Sequence, residues 1–185
     1  MTKSTLICFL ALAVLSITSC AEEDPNDMTG MQGGNNNNNN NNPPATVGES
    51  APSFSLSSSS GGSVSLADFE GKPLVIFFFG SSCPNCIASA PAVESDLFQA
   101  YSSDVVSLIG IDTWDGNLAA VDNFQSTTGV TFDLLLNGSN VESNYGITYD
   151  RLVIVDADGI LAFKGSTAAR SNIDDVKEAL NEMLE

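Results

Sequence analysis

The 185-residue chain has no histidine, one tryptophan, 4 cysteines and only 6 lysines and arginines. The missing histidine excludes Ser-His-Asp and Cys-His catalysis and removes the commonest transition-metal ligand. The few basic residues stand against 23 aspartates and glutamates, for a net charge of −17. Such a surface repels phosphate backbones and anionic headgroups, so neither nucleic-acid binding nor a polybasic membrane patch is expected. No apolar run reaches the roughly 18–20 residues of a membrane-spanning helix. A hydrophobic content of 43% is ordinary for a globular chain and suits one acidic domain.

The ends of the chain read differently from its middle. Lys3 gives a positive start and residues 6–17 form an apolar stretch of signal-peptide length. The stretch stops at Ile17-Thr18-Ser19-Cys20, which resembles the bacterial lipobox. In that motif the cysteine is lipid-modified and becomes N-terminal after cleavage. Residues 1–19 are therefore expected to be a lipoprotein signal peptide and Cys20 the lipidation site. The acidic Glu22-Glu23-Asp24, the glycines that follow and eight asparagines from Asn35 to Asn42 cannot build a core. Residues 20–46 are read as a disordered Asn-rich tether with a reach of roughly 25–30 Å. The acidic residues after Cys20 resemble the surface-export signal of some Bacteroidetes-type lipoproteins. An exported lipoprotein of a bacterial cell envelope is expected, on the periplasmic face or the outer surface of the outer membrane.

Cysteine usage then narrows the chemistry. Cys8 leaves with the signal and Cys20 takes the lipid, so the folded domain keeps Cys83 and Cys86, in Cys83-Pro84-Asn85-Cys86. An exported compartment tolerates disulfides, and the two can pair. A structural zinc site would need about four nitrogen or sulfur ligands, which two cysteines and no histidine cannot supply. A c-type haem is excluded because Ile87 stands where histidine is required. No metal or cofactor is expected.

Around the pair, residues 74–79 (Leu-Val-Ile-Phe-Phe-Phe) have the pattern of a strand buried on both faces. Residues 87–101 are helix-forming apart from Pro91, with Val93, Leu97 and Tyr101 at helical spacing. Cys83 thus sits where a strand hands over to a helix N-terminus, where free N–H groups and the helix dipole stabilise a thiolate. Cys86, one turn on, is the shielded partner. Further on, 105–111 and 130–136 read as strands and 117–128 as a helix. Residues 141–145 make a helical turn, and 152–155 with 160–163 a hairpin. Ser171-Asn172-Ile173-Asp174 reads as a capping box opening a C-terminal helix with Ile173, Val176, Leu180 and Met183 inward. Residues 54–56 and 64–66 look like an N-terminal hairpin. The carboxylates belong to no motif and read as solvated surface.

Taken in order, Pro52-x-Phe54-x-Leu56, Val64 to Phe69, Gly71-Lys72-Pro73, the apolar strand, Cys-Pro-x-Cys and Pro91 make a pattern. Gly110-Ile111-Asp112, Gly129 to Phe132, Tyr145-Gly146-Ile147 and Val153 to Gly159 extend it. Together they resemble the exported TlpA-like and ResA-like thiol-disulfide oxidoreductases of the thioredoxin superfamily, relatives of the AhpC/TSA redoxins. The resemblance covers residues 47–185. It implies an α/β, thioredoxin-like fold: a central mixed β-sheet flanked by helices, with an N-terminal β-hairpin extension. It also implies Cys83 as attacking thiolate, Cys86 as resolving thiol, and exchange with protein thiols and disulfides through a mixed disulfide. The partners implied are those proteins, an upstream redox donor or acceptor, and the membrane through the lipid on Cys20; a monomer is expected.

The chain departs from the family pattern at defined places. Ser82 replaces the usual tryptophan before the first cysteine, and Ser89 a frequent glutamate. Phe77 occupies the strand position of an acidic proton acceptor. Asp150 or Arg151 stands where a proline normally faces the disulfide. Pro84, Asn85, Trp114, Asp150 and Arg151 are therefore the candidate neighbours of the dithiol, Trp114 as a cover for it. Two alternatives follow. Arg151 before its strand resembles the activating arginine of peroxiredoxins, which implies a thiol peroxidase using Cys83. Two thiolates could also hold Cu(I) in a non-enzymatic thioredoxin-fold module.

Overall fold

The apolar run Leu74–Phe79 is the middle strand of a five-stranded sheet. The computed structural model describes residues 43–185, so the signal peptide, Cys8, Cys20 and nearly all of the tether lie outside the described residues. In chain order the strands are β1 (Ser55–Ser57), β2 (Ser63–Ser65), β3 (Leu74–Phe79), β4 (Ser107–Asp112), β5 (Asp133–Leu135), β6 (Arg151–Val155) and β7 (Leu161–Lys164). The helices are α1 (Pro84–Val93), α2 (Leu118–Thr128), α3 (Ser139–Tyr145) and α4 (Ile173–Leu184).

The main sheet has the order β5-β4-β3-β6-β7. Strands β3, β4 and β5 are parallel, whereas β6 pairs antiparallel with β3 and β7 antiparallel with β6. This is the expected mixed sheet. Because side chains alternate along a strand, β3 feeds two cores. Val75, Phe77 and Phe79 join Cys83, Cys86, Val93, Phe124, Val176 and Leu180 under α1, α2 and α4. Leu74, Ile76 and Phe78 join Ile109, Ile111, Val141 and Tyr145 on the side of α3.

The β1–β2 hairpin forms as expected and closes one sheet edge: Leu136 donates to the Ser57 carbonyl (2.9 Å) and Ser59 to that of Leu134 (2.8 Å). Residues 48–51 close the other edge, where Gly48 donates to the Leu161 carbonyl and Leu161 to that of Glu49, both at 2.9 Å. Pairing at both edges removes the exposed ladders that invite aggregation. Ala45, placed by sequence in the tether, is buried and hydrogen-bonded to the Asn144 carbonyl, so packing begins before residue 47.

Three local expectations are corrected. The strand expected over 130–136 shrinks to β5, because Val130 and Phe132 are buried by packing without joining the ladder. Ser171 does not cap α4: it lies in a 3-10 turn, Ala169–Asn172, and Asn172 bonds Asp175 instead. The long helix expected after Cys86 changes at its end into a π-helical segment, Glu94–Phe98. That segment follows Pro91, which supplies no N–H to the α-helical ladder.

Candidate active site

The site lies where β3 ends. Gly80, Ser81 and Ser82 turn the chain, and Cys83 is the N-cap of α1 in extended conformation (φ −73°, ψ 118°). Pro84 takes the first helical position, where its fixed φ suits the helix and its missing N–H costs nothing. The N–H of Cys86 points back and donates to Cys83 Sγ at 3.2 Å. A backbone donor and the positive end of α1 therefore converge on the Cys83 sulfur. Both thiols are free and buried; Cys83 is 3% exposed and Cys86 fully enclosed. Burial is the main cause that pushes the Cys86 thiol far up. Its hydrogen bond to Cys83 and the nearby charges of Cys83 and Asp150 add to this, and the Gly80 N–H, 3.4 Å from Cys86 Sγ, opposes it. The two sulfurs thus have unlike surroundings, one at a helix N-terminus and the other enclosed behind it.

The turn before Cys83 is tied to the end of β4 by Asp112, whose Oδ1 accepts from Ser81 N–H (2.9 Å) and Oδ2 from Gly116 N–H (2.6 Å). Burial raises the Asp112 carboxyl above its ordinary value, and bonds from Gly116, Ser81 and Trp114 partly offset this. Reading every carboxylate as solvated surface is thus corrected: Glu94, Asp112 and Asp150 are buried. Glu94 is spent on Thr131 and Gln99. Asp112 closes an apolar strand, the one signal in the sequence that marked it.

Of the expected neighbours, Asp150 and Arg151 line a cavity of about 450 Å³ together with Cys83, Asn85 and Tyr149. Asp150 occupies the left-handed region (φ +57°), which aspartate tolerates and proline cannot adopt. Its carbonyl accepts from Ala169 N–H and from Arg151 Nη1, each at 2.9 Å. Trp114 lies over the turn and not on the helix: a Cβ on Gly80 would come within 2.5 Å of its indole. The indole meets the Tyr149 ring edge-to-face at 5.1 Å, and both rings are about half exposed. A larger cavity of about 480 Å³ lies at the opposite end of β3, between Leu66 and Gly159, and holds no thiol.

The model of the AhpC/TSA family matches residues 47–164, more than half of the chain. The chain belongs to the AhpC/TSA family. Among curated relatives, a thiol-disulfide oxidoreductase ResA of Halalkalibacterium halodurans is 33% identical over 56% of this chain and 58% of its own length. A chloroplastic peroxiredoxin Q of Oryza sativa subsp. japonica is 27% identical over 63% of this chain and 57% of its own. The match therefore spans less than two thirds of either relative. Among solved structures, a Bacteroides thetaiotaomicron protein described as a candidate disulfide isomerase superposes with a TM-score of 0.67 at 28% identity. It covers 76% of this chain and 91% of that one. The fold of this AhpC/TSA member is thioredoxin-like, as the sequence led us to expect.

Proposed function

We propose that this AhpC/TSA protein is a thiol-disulfide oxidoreductase that exchanges the Cys83–Cys86 pair with protein partners in the cell envelope, anchored through a lipid on Cys20. The observation that carries the reading is the asymmetry of the two sulfurs. Cys83 caps a helix and borders a cavity, whereas Cys86 is enclosed one turn behind it. The Cys83 thiolate attacks one sulfur of a partner disulfide, forming a mixed disulfide and releasing the partner's other sulfur as thiolate. Cys86 then attacks Cys83 Sγ, closing the intramolecular disulfide and releasing the second partner thiolate. The leader and the lipobox-like Ile17 to Cys20 support export and anchoring.

The test uses the full chain with Cys8 and Cys20 changed to serine. Cys86→Ser should accumulate a mixed disulfide with a disulfide-bearing peptide, seen by intact mass, whereas Cys83→Ser should form none. Adducts on Cys86 instead would reverse the roles. A second reading, reduction of peroxides, is favoured by the place of Arg151 in the Cys83 cavity and by the peroxiredoxin relative. A Cys83 sulfenic acid formed by dilute peroxide faster than by any disulfide would put that reading first.

A further inference from the structure

We propose that the carboxylate of Asp150 is the proton acceptor for Cys86 when Cys86 resolves the mixed disulfide, an inference that rests on the exchange reading. Asp150 is 3% exposed, and neither of its carboxylate oxygens has a hydrogen-bond partner. A buried carboxylate left bare is costly, yet its backbone is firmly held, through the bonds its carbonyl accepts from Ala169 and Arg151. The position is built and the side chain is left free.

Where that side chain stands gives it a task. Cys86 must lose a proton before it can attack, and its burial opposes the thiolate. The Gly80 N–H beside its sulfur can only donate. Cys83, whose Sγ accepts from the Cys86 N–H at 3.2 Å, lines one cavity with Asp150, at the entry to β6, and the charges of both groups bear on Cys86. The other buried acids are engaged. Asp112, at the end of β4, holds Ser81 and Gly116, and Glu94 holds Thr131 and Gln99. Glu142 on α3 has one bare oxygen but faces Thr113 and Tyr149. Arg151 turns its guanidinium to the Asp150 carbonyl. Phe77, from β3, is buried with the pair and carries no group that could take a proton.

In the step, the Cys86 S–H proton passes to a carboxylate oxygen of Asp150 as Cys86 Sγ bonds to Cys83 Sγ. The bond from Cys83 to the partner sulfur breaks, and its electron pair leaves on the partner thiolate, which takes up the proton from Asp150. The partner disulfide is reduced and the dithiol oxidised. In reverse, protonated Asp150 returns the proton to Cys86. Because Asp150 and Cys83 border one cavity, acceptor and leaving group share a space.

Rapid mixing of the full chain (Cys8 and Cys20 as serine) with dithiobis(nitrobenzoate) tests this. The first release of thionitrobenzoate reports attack by Cys83, and the second reports resolution by Cys86. Asp150→Asn, which suits the left-handed conformation, should slow the second phase about 100-fold at neutral pH, within the range of general-base catalysis. That phase should then climb with pH and converge on the wild type in alkali. Asp150→Glu should restore part of the rate. A second phase in Asp150→Asn with the wild-type rate and profile overturns the proposal, as does uniform slowing at every pH, the mark of a structural role. If Asp150→Asn does not fold, Asp150→Gly is read by the same criteria. A wild type that shows the first phase but no second, or a Cys86→Ser variant that keeps the second, overturns the exchange reading and the proposal with it.

Discussion

Single residues divide the work of this site between polarity and burial. Cys83 receives a backbone N–H, and Cys86 is sealed and held protonated. Asp112 fixes the turn between them and the sheet by accepting from two backbone donors with its two oxygens. Asp112→Asn keeps the shape but turns one acceptor into a donor. Leaving a buried N–H unmet should cost about 1–3 kcal/mol in urea unfolding. The pH dependence has a definite sign. Burial holds the Asp112 carboxyl above its ordinary 3.8, so the stability linked to its protonated form is fully present below 3.8. It is lost as pH rises through the higher folded-state value. The stability advantage of wild type over Asp112→Asn should therefore shrink as pH is raised from below 3.8 toward neutrality. An advantage that grows over that window would contradict the assignment.

At the level of elements, the strand-to-helix junction carrying the dithiol was legible because three local signals agree there: a six-residue apolar run, the Cys-x-x-Cys pair and a proline at the first helical turn. The N-terminal hairpin and the inward face of α4 were legible from local pattern, whereas the mixed sheet was implied by the family resemblance alone. The buried acids were not: Asp112 alone carries a local mark, the apolar strand it closes, and the donors it serves, Ser81 and Gly116, lie 31 and 4 residues away. Arg151, named from sequence as a neighbour of the dithiol, opens β6, half-buried, and bonds a backbone carbonyl. The edge-covering segment was also missed, because Gly48–Ala51 pairs through its backbone and leaves little trace in side-chain pattern. Deleting residues 45–51 removes its bonds to Gly159 and Leu161, worth about 0.5–1.5 kcal/mol each, and bares the β7 edge. A lower melting temperature and concentration-dependent association by light scattering are expected. An unchanged melt with a monodisperse species would mean that the edge is protected by other means.

For the whole molecule, a net charge of −17 repels acidic partners and favours basic ones, with association rates that fall as salt rises. Within that acidic body, a recessed dithiol, a thioredoxin-like fold and membership of the AhpC/TSA family point to sulfur chemistry at one end of the sheet. The most direct test is an equilibrium redox titration of the full chain, with Cys8 and Cys20 as serine, in glutathione buffers. Alkylation mass shifts report Cys83 and Cys86. The account predicts one reversible transition between dithiol and disulfide, with the two-electron slope of about 30 mV per tenfold change. A pair that stays doubly alkylated across the range, or that oxidises without closing, would contradict it.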